Sequence, residues 1–515
     1  MRRLASVGLR GPIAGGLRWL LVALMMSGAP VGDAPAAEDA DPGVAPAADT
    51  LRIGVCDAIL LGLEHNHTVA ISRLDPAIMR TYAGEQRAAF DPELSITAER
   101  SEATSQRRLG SQPNPFDLED AQFEGTVELS EVLPTGTSLT LRAGMTGSVS
   151  NLYTDQYTGT VGLTVTQSLL RGFGLGANLA RLRRARLDVA ISEAELKAVA
   201  ERTAADIEQA YWDLYVAGQE ADIQTASLSL AAQQLTESLE RVKVGKLARL
   251  ELAAVEAEVA ARESELIDAQ SAHELARLRL LHLMGVATYG PWSMAVAQTD
   301  TPFIPVDLLD PVEAHAQVAL EHRPDLHQAR HALEKGDIEV SRTANGLLPR
   351  LDLFISLGRT TYSQSFEDAY PDLESPYHQV SGGVSFDFPV PNRAPSSELK
   401  RARLAREQQA LAVANMERLA GLDVRTAYLE VLRARAQINA TRTTRDLQDR
   451  KLAAEVEKFR VGRSTNFLVL QAQRDLTASR LNEVRAKVGY LTALVDLYVA
   501  EGTLLERRGI TSLED

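Results

Sequence analysis

Hydrophobic and polar positions along the chain follow two periods. In some stretches the period is two. Val161, Leu163 and Val165 alternate with Thr160, Gly162, Thr164 and Thr166. Leu351, Leu353, Ile355 and Leu357 alternate with Asp352, Phe354, Ser356 and Gly358, and Val380, Gly382, Val384, Phe386 and Phe388 occupy every second place. Such alternation predicts strands with one apolar and one polar face. Phe123–Val132 and Ser138–Met145 flank a tight turn at Leu133-Pro134-Thr135-Gly136-Thr137 and predict one further hairpin. Elsewhere the period is that of coiled helices. Val484, Val488, Leu491, Val495 and Tyr498 run in alternating steps, and Leu252, Val259 and Leu266, like Leu228, Leu235 and Val242, recur every seventh residue. Seams of this kind need partner helices. No proline interrupts 176–244, and Pro395 is the only one in 394–461, so each helix extends on the order of 100 Å. Gly245 and Gly462 break them into helical hairpins.

The two periods recur in the same order. Leu63-Glu64-His65 returns as Leu320-Glu321-His322, and Pro92 returns as Pro349, both at an offset of 257. Further on, Ala210-Tyr211-Trp212-Asp213-Leu214 matches Ala427-Tyr428-Leu429-Glu430-Val431, and Val244-Gly245 matches Val461-Gly462, both at 217. The fall in offset places 40 extra residues in the first half, between Pro92 and about Gln167. Two homologous halves follow, about 51–300 and 301–500. Each reads short helix, strands, long helix, glycine break, long helix. Strands span about 92–167 and 350–390, and helical hairpins about 172–285 and 394–500. The extra hairpin gives four strands to the first half and two to the second.

The ends and the composition narrow the setting. Arg2, Arg3, Arg10 and Arg18 precede the short apolar run Trp19–Met26 and the small-residue stretch Ala34-Pro35-Ala36, the layout of a secretory signal over 1–36. Residues 37–50 read as a disordered leader and 501–515 as a C-terminal tail. The formal charge of −15 argues against a nucleic-acid-binding body. The single cysteine, Cys56, excludes an intramolecular disulfide and a thiolate zinc cluster, and reads as a buried thiol. Past residue 40 no run of 18 apolar residues occurs, which argues against a transmembrane helix but leaves a β-barrel open. Strands of about ten residues suit a tilted membrane strand, and the polar stretch 358–377 suits an external barrel loop. A β-sandwich edge is the soluble alternative.

No catalytic constellation emerges. His327 and His331 stand one helical turn apart with His322 nearby, but no Glu follows the first to make a zinc-protease motif. They, with His65 and His67, read as polar surface. Gly172–Gly176 lacks the Lys-Ser/Thr of a phosphate loop and reads as a strand-to-helix turn. Neither an enzyme, a cofactor nor a metal site is expected.

The doubled order, together with Leu320–Leu326, Ala427–Leu432, the tip segment 243–251 and Phe459–Gln473, resembles the TolC-like outer-membrane efflux protein family over nearly all of 51–500. The resemblance implies an α+β membrane protein and a homotrimer. Its transmembrane β-barrel would continue into a long periplasmic α-helical barrel. It implies a passive exit duct of a tripartite efflux or type I secretion system. An inner-membrane transporter would drive it through a periplasmic adaptor, with outer-membrane lipid around the barrel. Family members give four strands per chain, so six imply either an 18-stranded barrel or a hairpin outside the wall. The family's second tip often reads D-V-L-D-A; here it is Leu468-Val469-Leu470-Gln471-Ala472, without either Asp. The position of the family's latch Arg holds Ser464, after Arg463. The expected constriction is therefore Glu251, Leu468 and Gln471. Lys243, Gly245, Lys246, Arg460, Gly462, Arg463 and Ser464 are expected to meet the adaptor. The alternative from another class is a periplasmic coiled-coil structural protein with a small β domain.

Overall fold

The computed structural model describes residues 50–108, 115–245, 249–286, 292–304, 309–370 and 375–510. The signal and nearly all of the leader lie outside them. Thr50, assigned to the leader's end, instead opens strand β1 (Thr50–Ile53).

The first half continues with α1 (Val55–His65), α2 (His67–Ala88), β2 (Glu93–Arg107), β3 (Phe116–Val132), β4 (Thr137–Ser150), β5 (Gln156–Ser168), α3 (Leu175–Asn178), α4 (Ala180–Lys243) and α5 (Arg249–Leu283). After β6 (Ala295–Gln298) come α6 (Val312–His322), α7 (Pro324–Gly346), β7 (Arg350–Ser363), β8 (His378–Asp387), α8 (Arg393–Arg460), α9 (Asn466–Glu501) and α10 (Leu504–Arg507). The order helix, helix, strands, long helix, shorter helix thus occurs in each half. Pro76 lies inside α2, whereas Pro324 and Pro395 open their helices, where the missing N–H is not needed.

Six strands form one antiparallel sheet in the order β2-β3-β4-β5-β7-β8. Its register aligns Leu94, Leu129, Leu141, Leu163, Leu357 and Val380 directly across all six. Cross-strand partners share a face, so this row is one line of a continuous apolar surface. The next row, on the opposite face, is Ser95, Glu128, Arg142, Gly162, Gly358 and Gln379. The strands run from 10 to 17 residues, longer than expected, because they continue past the apolar band into polar ends such as Asp117, Glu119 and Asp120 of β3. β7 takes the first residues of the expected loop, which begins only after Ser363.

The sheet is fastened to the helices by its turns. Gly136, in the turn between β3 and β4, has φ +88° and sits so close to the Gly172 carbonyl that an added Cβ would lie 2.2 Å from it. Asn178 Nδ2 donates to the carbonyls of Pro134 at 3.1 Å and Gly172 at 2.8 Å. Asn345 Oδ1 accepts from the Gly172 N–H at 2.8 Å. Gly172 and Gly174, both with positive φ, turn the chain from strand into helix as expected.

The main core lies where α1, α4, α5, α9 and α10 meet, around Ile59, Ile207, Tyr211, Leu214, Leu280 and Leu504. The heptad residues Val488 and Val495 are in it, with Leu491 and Tyr498 packed alongside. A second cluster joins α6, α8 and α9. Tyr211 Oη donates to the Ile53 carbonyl and accepts from the Asp300 N–H, both at 3.2 Å, tying β1 and the segment after β6 to α4. β1 pairs in parallel with β6, a small sheet too short to read from periodicity.

Two expectations are corrected. Cys56 is exposed: α1 buries Val55, Ala58, Ile59, Gly62 and Leu63, and Cys56 lies off that stripe. The assigned tail is partly core, because Glu501, Leu504 and Leu505 are buried and Arg507 and Arg508 make ion pairs there.

Candidate functional site

The far ends of the two helical hairpins collect most of the candidate residues. Each long helix ends at a glycine in the left-handed region, Gly245 at φ +71° and Gly462 at φ +72°. The Gly245 N–H returns to the Val242 carbonyl at 3.0 Å. The Gly462 and Arg463 N–H groups return to Phe459 at 3.1 Å and Lys458 at 2.8 Å. These bonds close the last helical turn and reverse the chain.

The tip charges are largely answered within their own turns. Lys243 Nζ pairs with Glu240 at 2.8 Å, Arg460 with Glu457 at 2.8 Å and Lys458 with Glu455 at 2.6 Å. Ser464 Oγ donates to Glu455 at 2.8 Å. The hydrogen bonds from Lys458 and Ser464 hold the Glu455 carboxyl below its ordinary range. What stays open is apolar: Val244, Val461 and Phe467 are each about two-thirds exposed. These three were missed by a reading that looked for charge. The signal for Val244 and Val461 was the Val-Gly pair repeated at both tips. Arg241 stacks over the Phe459 ring at 4.6 Å, bringing the ends of α4 and α8 together.

Of the expected constriction, Leu468 and Gln471 lie one turn apart on the exposed face of α9, while Val469, Leu470 and Ala472 are buried. The side chain of Glu251, and Lys246 entirely, lie outside the described residues.

Sequence reasoning missed a tie between the hairpins. Glu258 on α5 is nearly fully buried. It accepts from Arg262 at 2.7 and 2.9 Å, and from Arg474 on α9 at 2.6 and 3.1 Å. Burial alone would raise its carboxyl, but the hydrogen bonds from Arg474 and Arg262 outweigh that and lower it. At the repeat offset of 217, Glu258 corresponds to Asp475, which pairs with Lys451 at 2.7 Å. That correspondence could have pointed to both.

The histidines singled out by spacing do not converge. His327 Nε2 bonds the Glu321 carbonyl at 2.8 Å and His331 lies 3.7 Å from Glu334. Among the described residues no three His, Cys, Asp or Glu side chains form a metal-holding group. The buried histidine is His315, paired with buried Glu501, which also receives Arg507 at 3.0 Å. Arg508 pairs with buried Glu208 at 2.5 Å. Nearby, burial pushes the Glu201 carboxyl up to about 7 against the pull of Lys197.

The sheet's other face is polar. Glu99 stands directly opposite Glu124, whose carboxylate lies 3.6 Å from Arg142. Among the described residues no helix is long and apolar enough to cross a membrane.

Long helical hairpins joined to a sheet with one apolar and one polar face fit an outer-membrane channel protein. The model of the outer membrane efflux protein family matches residues 59–286 and 316–503, and the chain belongs to that TolC-like family and to the outer membrane. It is 24% identical over 348 residues to the outer membrane efflux protein BepC of Brucella suis biovar 1 (strain 1330), covering 67% of this chain and 73% of that protein. It is 28% identical over 296 residues to the pyoverdine export outer membrane protein OpmQ of Pseudomonas putida (strain KT2440), covering 54% and 58%. Its fold is similar to that of the outer membrane protein VceC from Vibrio cholerae, with a TM-score of 0.64, 18% identity and coverage of 87% and 96%.

Proposed function

We propose that this chain is one third of a homotrimeric exit duct. Three sheets close a transmembrane β-barrel, and the helical hairpins of both tandem repeats continue it as a tube into the periplasm. The duct is passive and carries no enzymatic site. An inner-membrane transporter supplies the energy through a periplasmic adaptor, in a tripartite efflux or type I secretion assembly.

The observation that carries this reading is the six-residue apolar row crossing every strand of a sheet whose two edges, β2 and β8, are both unpaired among the described residues. All fifteen residues of β2 are exposed. Open edges of this length are an aggregation hazard unless another chain covers them, and an apolar face of this extent needs lipid.

At the tips, Val244, Val461 and Phe467 form an apolar docking surface. Lys243, Gly245, Lys246, Arg460, Gly462, Arg463 and Ser464 frame it for the adaptor. Glu251, Leu468 and Gln471 line the entrance constriction. The Glu258–Arg474 tie holds the two hairpins of a chain together in the resting state.

The test is membrane fractionation with native mass in detergent. A particle near three times the mass of one mature chain, in the outer-membrane fraction, supports the reading. A soluble monomer or dimer would overturn it in favour of a structural coiled-coil protein.

A further inference from the structure

We infer that the hairpin β3–β4 is part of the pore wall and widens the outer-membrane barrel to six strands per chain, eighteen per trimer. The inference rests on the trimeric reading above and adds the size of the outer bore. Three observations carry it.

The first is register. β3 and β4 lie between β2 and β5 in unbroken antiparallel pairing, thirteen aligned residue pairs joining them to each other. A hairpin set outside the wall would leave β2 pairing directly with β5. The second is the shared face. Leu129 and Leu141 supply the second and third members of the apolar row begun by Leu94 and continued by Leu163. On the other side Glu128 and Arg142 continue the polar row. A hairpin away from lipid has no use for that band.

The third is circumference. The helices joined to the sheet lie side by side in the order α2, α4, α7, α8, each next to its neighbour. Four packed helices occupy an arc of about 38 Å. Six strands tilted by about 40° occupy about 37 Å, whereas four would occupy only about 25 Å. The inserted hairpin therefore brings the barrel to the girth of the helical tube beneath it. The order of strand attachments, β2 to α2, β5 to α4, β7 to α7 and β8 to α8, follows the order of the helices. Closing the wall then needs β2 of one copy against β8 of the next.

The consequence is functional. An eighteen-stranded barrel is about 1.5 times as wide as a twelve-stranded one, with about twice the cross-section. The outer mouth then sets no size limit that the helical tube does not already set.

The experiment is electron microscopy of the full assembly in lipid nanodiscs, for the wild type and for a variant lacking residues 109–150. The wild-type wall is expected at about 36 Å across, and the deletion variant at about 24 Å. A trimer whose wild-type barrel is already about 24 Å across, with the hairpin outside it, overturns the inference and leaves the duct standing. A particle that is not a trimer overturns both.

A second measurement does not depend on the deletion folding. Thr126→Cys and Leu129→Cys, each in a Cys56→Ser background, are treated in intact outer membranes with a water-soluble maleimide. Thr126→Cys, on the polar face, is expected to react at least tenfold faster than Leu129→Cys, on the lipid face. Equal rates would place the hairpin outside the wall.

Discussion

Glu258 and Asp475 occupy equivalent places in the two hairpins, yet their surroundings give them different weight. Asp475 meets Lys451 with both side chains substantially solvated, and such a pair contributes less than about 1 kcal/mol. Glu258 is buried and bonded by two guanidinium groups from two helices. Arg474→Ala leaves Arg262 in place but removes the only described bond from Glu258 to α9, a loss of about 1–3 kcal/mol for a charged hydrogen bond. Single channels of Arg474→Ala in planar bilayers are expected to conduct more than wild type, while Lys451→Ala changes little. Equal conductance in Arg474→Ala and wild type would show that the tie does not hold the entrance. Glu201 sets a different dependence. Its carboxyl ordinarily titrates at 4.5 and burial raises it to about 7. Between those values the folded chain keeps a proton that the unfolded chain releases, so stability falls as pH rises through the window. The loss by pH 8 is on the order of 2–3 kcal/mol. Glu201→Gln removes the titrating proton, and its thermal midpoint should fall by several degrees less between pH 5 and pH 8 than that of wild type. Parallel curves would mean that the buried carboxylate is already charged at pH 5.

Among the elements, strands and hairpins were legible because their periods are long and regular. Leu351–Leu357 and Val380–Phe386 mark faces that the register then aligns, and Gly245 and Gly462 end helices for a reason visible in the letters: a left-handed turn favours glycine. β1 and β6 were not legible. Four residues show no dependable period, and their pairing spans the whole first half. The burial of 501–505 was hidden for a similar reason, since its partners, His315 and α4, are distant in sequence. The Glu258–Arg474 tie is a contact between hairpins, and helix periodicity within one hairpin carries no information about it. At this scale the sheet's faces can be tested separately. Leu129→Arg puts a charge in the apolar row, costing about 2–4 kcal/mol if that row lies at the bilayer midplane. It should sharply reduce the amount of assembled protein recovered from outer membranes. Thr126→Arg, three residues away on the polar face and opposite the uncharged Thr97 and Gly144, should assemble at near wild-type levels. Equal yields would mean that the row does not face lipid.

At the scale of the whole molecule, the polar face of the sheet becomes the lining of the bore in the proposed trimer, where three copies would close the wall. Each copy brings Glu99, Asp120, Glu124 and Glu128 to that face within β2 and β3, against Arg142 from β4. Glu99 and Glu124 oppose one another directly, a like-charge arrangement that draws in mobile counter-ions. Threefold repetition turns this into a band of carboxylates around an aqueous pore, an arrangement that concentrates cations and repels anions. Three of the four acids, Asp120, Glu124 and Glu128, stand on β3, within the hairpin that comparison between the halves marks as extra. In the proposed barrel the insertion widens the wall and charges it together. Reversal potentials across a salt gradient should show a preference for potassium over chloride. Replacing Glu99, Glu124 and Glu128 together by Gln should lower that preference about twofold or more while leaving the trimer's native mass unchanged. The preference should also shrink as ionic strength rises and the Debye length falls toward about 3 Å at 1 M salt. If the triple variant keeps the wild-type selectivity, the ion preference is decided at the proposed constriction of the helical tips, and the barrel is an indifferent conduit.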